Sequence, residues 1–135
     1  VASADCRGLD DPRDRVERLV EVARPLAGPL VLVGSSLGAW TAVAASARLR
    51  PALLFLMAPA FHMPGLPDPE PEPEAGHIVV THGWRDEVVP MDKILGFARR
   101  YRAETHVFDA DHRLIDALPQ IGRLLAENLE SLAGV

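Results

Sequence analysis

Cysteine is almost missing from this chain: Cys6 is the only one in 135 residues. That excludes an intrachain disulfide, and one thiol cannot make a structural zinc site. The usage fits a reducing, cytoplasmic setting. Positive charge is also short. Lys and Arg number 14 against 19 Asp and Glu, a formal net charge of −5. A surface of that sign argues against nucleic acid and anionic membranes as partners. No apolar run approaches the roughly 20 residues of a membrane-spanning helix, so no membrane span is expected. The N-terminus, VASADCRG, has neither a basic region nor a long apolar core, and does not read as a signal peptide. The histidines are scattered without H-x-x-x-H spacing, which argues against a bound metal.

What is present is ordinary globular composition, 48% apolar and 24% charged, in a length suited to one domain. Four short apolar runs read as strands: Leu30 to Val33, Leu53 to Met57, Ile78 to Thr81 and Thr105 to Phe108. The first three are apolar on both faces, the pattern of parallel strands covered on both sides. Helical patterns separate them. Asp11 is a candidate N-cap with Pro12 at the first helical position, ahead of a face of Val16, Leu19, Val20 and Ala23. Leu37 to Leu49 is alanine-rich, and alanine is the strongest helix former. Met91, Ile94, Leu95, Ala98 and Tyr101 mark a third helical face. Leu118, Ile121, Leu125, Leu129 and Leu132 mark a fourth, with Pro119 in its first turn and Asp116 as candidate cap. Strands alternating with helices predict an α/β three-layer sandwich with a mostly parallel sheet.

Residues 64–76, PGLPDPEPEPEAG, alternate proline with acid. Such a segment favours a solvated, polyproline-like or disordered connection between two strands. A short lid or partner-binding loop is the other reading.

The sequence Gly34-Ser35-Ser36-Leu37-Gly38 matches G-x-S-x-G, with Ser36 central. A predicted strand runs into it and a predicted helix runs out, which is the setting the motif requires. A nucleophile on so sharp a turn sits in strained backbone, and small flanking residues relieve crowding there. The turn also brings the hydroxyl to a helix N-terminus, where the Leu37 N–H is a candidate oxyanion donor. The competing reading is a tight turn in which Ser35 or Ser36 caps the helix.

Two later motifs bear on that choice. The third strand ends in THGWRDEVVP, residues 81–90, where Gly83 makes the turn and Asp86 follows. The fourth ends in FDADHRL, residues 108–114, which carries His112. Each polar group follows a different strand at the same end of the sheet, where ligands of open α/β sheets bind. Glu87, Asp109 and Asp111 are nearby carboxylates. Asp86 is favoured over them because it holds the motif position on a loop separate from that of His112.

With these pieces in this order, the chain resembles the α/β-hydrolase superfamily, and within it the small single-domain bacterial serine hydrolases and esterases. The match rests on Gly34 to Gly38, on Gly83-Trp84-Arg85-Asp86-Glu87-Val88-Val89-Pro90, and on Asp111-His112. The resemblance implies a Ser-His-Asp triad with Ser36 as nucleophile, His112 as general base and acid, and Asp86 orienting His112. It implies hydrolysis of a small-molecule carboxylic ester or thioester through an acyl-enzyme, with no cofactor and no metal. The family places strands ahead of the nucleophile strand and draws a second oxyanion N–H from a loop among them. Nothing before Leu30 supplies that loop. The expectation is a single α/β-hydrolase-like domain over 1–135 lacking its first strands, whose exposed sheet edge a homo-oligomer would cover.

Phe61, His62 and Met63 follow the second strand at the correct end and are candidate pocket residues, together with Trp84. Trp40 reads as core, and His82 as a structural hydrogen-bonding residue. The reading from a different class is a non-catalytic binding or scaffold protein of the same fold.

Overall fold

Four strands pair in parallel, in their sequence order: β1 (Val31–Ser35), β2 (Leu53–Met57), β3 (His77–Gly83) and β4 (Glu104–Phe108). The computed structural model describes residues 1–134; Val135, the last residue of the predicted domain, lies outside the described residues. Four helices complete the fold: α1 (Pro12–Ala23), α2 (Leu37–Leu49), α3 (Met91–Tyr101) and α4 (Leu118–Ala133). All four strands and helices lie where the apolar patterns put them. β1 runs two residues past Val33, and β3 includes His77 at its start and His82 and Gly83 at its end.

Alternation along the strands divides the core in two. Leu32, Leu54, Leu56, Ile78 and Val80 face one side, with Trp40 and Val43 of α2 and Ile94 and Phe97 of α3. Val16 and Leu19 of α1 pack on that cluster. Leu53, Phe55 and Val79 face the other side, with Ala117 just before α4 and Ile121 within it, and with Leu124, Leu125 and Leu132 packed against them. Both faces of the sheet are covered, which is why β2 reads as an unbroken apolar run. Among the described residues no helix is long and apolar enough to cross a membrane.

Local chemistry sets the helix ends. Asp11 caps α1 by accepting the Arg13 N–H at 3.0 Å, with Pro12 at the first position. The predicted cap of α4 is not realised. Asp116 lies inside a 3-10 turn, Ile115–Ala117, and Ala117 occupies the cap position instead. Two helical faces also need correction. In α3 Phe97 is buried beside Ile94 and Ala98, while Leu95 is 48% exposed. In α4, Leu118 and Leu129 are exposed at 50% and 42%. Each helix turns only one stripe to the sheet, and these leucines fall beside the stripe.

Residues 64–76 are mostly exposed, as their composition suggests, but they are bonded to the helices beside them. The Trp40 indole N–H donates to the Asp68 carbonyl at 2.8 Å. The Glu74 N–H donates to Ser46 Oγ at 3.0 Å. The Glu70 carboxylate, only 9% exposed, pairs with Arg100 of α3 and faces His62 at 3.4 Å. Pro71 is buried. The segment is tied along its length to α2 and α3.

Register fixes the working end of the sheet. Ser35, Met57, Thr81 and His106 lie in one row across the four strands, and Gly83 pairs with Phe108 two residues further on. Every loop that follows a strand therefore opens on the same edge.

Candidate active site

Ser36 stands between β1 and α2 at φ 55°, ψ −117°. A non-glycine residue in that conformation carries strain of about 1–3 kcal/mol. Surrounding bonds hold it there. Its N–H donates to the Met57 carbonyl at 2.9 Å, and its own carbonyl accepts from Ala39, Trp40 and Ala60. Its side chain makes no capping bond to the helix. The hydroxyl lies instead 2.8 Å from His112 Nε2. Ser35 ends β1 with an exposed side chain.

The two glycines flanking the serine differ. A Cβ on Gly34 would meet the Gly38 carbonyl oxygen at 2.4 Å and the Ala39 nitrogen at 2.7 Å. No side chain fits there, because α2 starts directly over the end of β1. A Cβ on Gly38 would meet nothing within 4 Å. The expected crowding therefore exists at Gly34 and not at Gly38, whose own Cβ direction is open. Leu37, the first residue of α2, carries one of the N–H groups that a helix leaves without an internal carbonyl.

Asp86 reaches His112 from the loop after β3. Its Oδ2 is 2.7 Å from His112 Nδ1. Its Oδ1 accepts the Val88 and Val89 N–H groups, both at 2.8 Å. The side chain is fully buried, and a buried carboxylate is tolerable only when charge-assisted bonds satisfy it in this way. The bonding sets the protons. A carboxylate only accepts, so His112 carries its proton on Nδ1, and Nε2 is left with a lone pair for the Ser36 hydroxyl. The His112 side chain is 21% exposed.

Two of the neighbouring carboxylates are engaged by arginines or their own turn. Asp109 pairs with Arg85 at 2.8 Å. Asp111 Oδ1 accepts the Arg113 N–H within its own turn. Glu87 is exposed on the rim of a cleft beside His112. That cleft, about 620 Å³, is bordered by Trp84, Val88 and Arg113 as well as Asp86 and His112. Trp84 is 63% exposed there. The other candidate pocket residues do not border it. Phe61 is buried, with its ring 4.5 Å from that of Phe97. Met63 packs against the same core, and His62 turns toward Glu70. The loop after β2 is bonded to the 64–76 segment through the His62 N–H, which donates to the Pro69 carbonyl at 2.8 Å.

Gly83 does more than make the turn. Its φ is not positive, so the turn alone does not demand glycine. A Cβ there would lie 2.1 Å from the Ala110 carbonyl oxygen and 2.8 Å from that of Asp111. Glycine lets the acid loop and the histidine loop meet backbone to backbone. The Trp84 N–H donates to Phe108 and the Arg85 N–H to Ala110, closing the same seam. The one signal in the sequence was a glycine directly at a strand end.

No protein-family model matches the chain, and no curated protein does. Solved structures do. A protein of the alpha/beta hydrolase superfamily from Xanthomonas campestris pv. campestris is 36% identical, with a TM-score of 0.82 over 93% of this chain and 72% of its own. An alpha-beta serine hydrolase homologue from Coxiella burnetii is 25% identical, with a TM-score of 0.75 over 91% of this chain and 65% of its own. A lidless member of the α/β serine hydrolases, also from Xanthomonas campestris, is 25% identical, with a TM-score of 0.61 over 91% and 56%. The chain thus spans less than two thirds of the length of the last two.

Proposed function

The chain belongs to the α/β-hydrolase superfamily, and from that premise we propose that it is a serine hydrolase acting on a carboxylic ester or thioester. The observation that carries the reading is one chain of bonds. Ser36 Oγ, His112 and Asp86 come from three different strand ends and link at 2.8 Å and 2.7 Å. A non-catalytic binding protein of the same fold has no use for a strained serine aimed at a histidine whose other nitrogen is held by a buried carboxylate.

In the proposed reaction Ser36 Oγ attacks the substrate carbonyl carbon while its proton passes to His112 Nε2. The imidazolium is stabilised by Asp86 through Nδ1–H. Negative charge gathers on the former carbonyl oxygen, and the Leu37 N–H at the start of α2 is the donor nearest in sequence to meet it. Collapse breaks the bond to the leaving alkoxide or thiolate, which takes the proton from Nε2. Water then repeats the sequence on the acyl-enzyme and frees the acid.

His112 gives its proton to the leaving group, so the leaving group lies on the His112 side. The cleft there offers Trp84 and Val88 as apolar walls. We therefore assign it to the alcohol or thiol portion of the substrate. No helix stands between β2 and β3, so no helical cap covers the site from that connection, and acyl selectivity is correspondingly modest. The test is hydrolysis of p-nitrophenyl acetate by the wild type and by Ser36→Ala. Turnover by the first and none by the second is expected. Folded wild-type protein without turnover on short and medium acyl esters overturns the reading.

A further inference from the structure

Among the described residues, His82 is a fully buried titratable group beside the site that the proposed mechanism does not use. Its side chain is wholly buried on β3. Nε2 lies 2.9 Å from the Val89 carbonyl oxygen and 3.4 Å from Asp86 Oδ2. Nδ1 is buried with no hydrogen-bond partner. A carbonyl oxygen only accepts, so the Nε2 proton is fixed by that contact. A second proton, on Nδ1, would be a buried donor with nothing to receive it, at the desolvation cost of an unsatisfied polar group.

The contact closes a small ring of dependencies. His82 ties the last turn of β3 to Val89, seven residues on. Val89 and Val88 then present their N–H groups to Asp86 Oδ1. Asp86 Oδ2 is left to His112, 2.7 Å away, with His82 standing off at 3.4 Å. If His82 were charged it would compete for that oxygen. Asp86 would then stabilise a cation at residue 82 rather than the one that must form on His112.

We infer that His82 is a positioning residue for the triad acid: a neutral ring, protonated on Nε2 alone, that braces Val89 and so holds the Asp86 carboxylate toward His112. The inference rests on Asp86 being the triad acid. Burial pulls the histidine's pKa below its ordinary value, with the Val89 and Asp86 contacts opposing and the His112 charge reinforcing the shift.

The first test needs no variant and no substrate. Nitrogen-15 NMR of histidine-labelled wild-type protein should find His82 as the neutral Nε2–H tautomer from pH 8 to pH 5.5. An Nδ1–H tautomer, or a doubly protonated ring at pH 6, overturns the inference even if the protein never turns over an ester. The second test uses His82→Leu, which has no donor, and His82→Gln, whose amide N–H can reach toward Val89. We expect His82→Leu to lower kcat by about 10- to 100-fold with KM within about twofold. The downfield proton signal of the His112–Asp86 bond should broaden or vanish, and His82→Gln should recover most of kcat. Folded His82→Leu with wild-type kcat and an intact downfield signal overturns it. Should His82→Leu fail to fold, the tautomer measurement still decides.

Discussion

Replacing Gly83 by alanine adds one methyl group at the seam between the acid loop and the histidine loop. That methyl would sit 2.1 Å from the Ala110 carbonyl oxygen, 2.7 Å from its carbon and 2.8 Å from the Asp111 oxygen. All three atoms are backbone, so no side chain can swing aside. To reach even a tight 3.0 Å contact the Ala110 carbonyl must retreat by about 1 Å. His112 is two residues further along that loop and has to keep its 2.8 Å contact with Ser36. A displacement of about 1 Å at a catalytic group costs on the order of 10²-fold in rate. Overpacking of this kind costs about 1–3 kcal/mol of stability. The assay is kcat on p-nitrophenyl acetate together with Tm. Gly96→Ala is the matched control, since Gly96 is exposed inside α3 with nothing within 4 Å of the added Cβ. It should leave kcat unchanged and raise stability by about 0.5–1 kcal/mol through helix propensity. If Gly83→Ala keeps wild-type kcat and Tm, the loops do not depend on that contact and the reasoning fails.

Asp86→Asn should lower kcat by about 10⁴-fold with little loss of stability. The amide oxygen can keep the Val88 and Val89 N–H bonds, while the amide NH2 faces His112 and imposes the wrong tautomer; a pH–rate profile of the variant checks this. Ser36→Gly should be as inactive as Ser36→Ala yet melt at a higher temperature. Glycine accepts φ 55° without strain worth about 1–3 kcal/mol, and thermal denaturation of the pair measures it. Trp40→Phe should cost about 1 kcal/mol by removing the bond to the Asp68 carbonyl, and should speed proteolysis within residues 64–76, read by mass spectrometry of the fragments. Stability should also fall with acid through His82. Its folded pKa is depressed, so below the ordinary histidine value of about 6.5 the unfolded chain binds a proton that the folded chain refuses. This contribution is flat above about pH 7 and erodes as pH drops; His82→Gln should show a shallower fall in Tm between pH 7 and 5.

The sheet, the four helices and the strand-end placement of Ser36, Asp86 and His112 were legible because each rests on local pattern. Apolar runs, a capped Asp-Pro start and glycine at strand ends carry that information in a few consecutive residues. What was not legible depends on distant packing. Phe61 and Met63 looked like pocket residues by position, but the return of the chain toward α3 puts them in the core. The 64–76 segment is mostly exposed, as its composition suggests, but the bonds that hold it come from Trp40, Ser46 and Arg100, 28 to 30 residues from their partners in sequence. Gly83 looked like a turn residue because its neighbour, Ala110, belongs to another loop. The bond between His82 and Val89 was hidden for a simpler reason: a carbonyl acceptor leaves no mark in sequence.

The central claim is that Ser36 is a nucleophile activated by His112. It is tested most directly by treating the folded protein with a fluorophosphonate and mapping the adduct by peptide mass spectrometry. The account predicts a single adduct on Ser36, none in Ser36→Ala, and sharply slowed labelling in His112→Ala. An adduct on Ser35, or no adduct on folded wild-type protein, would contradict it.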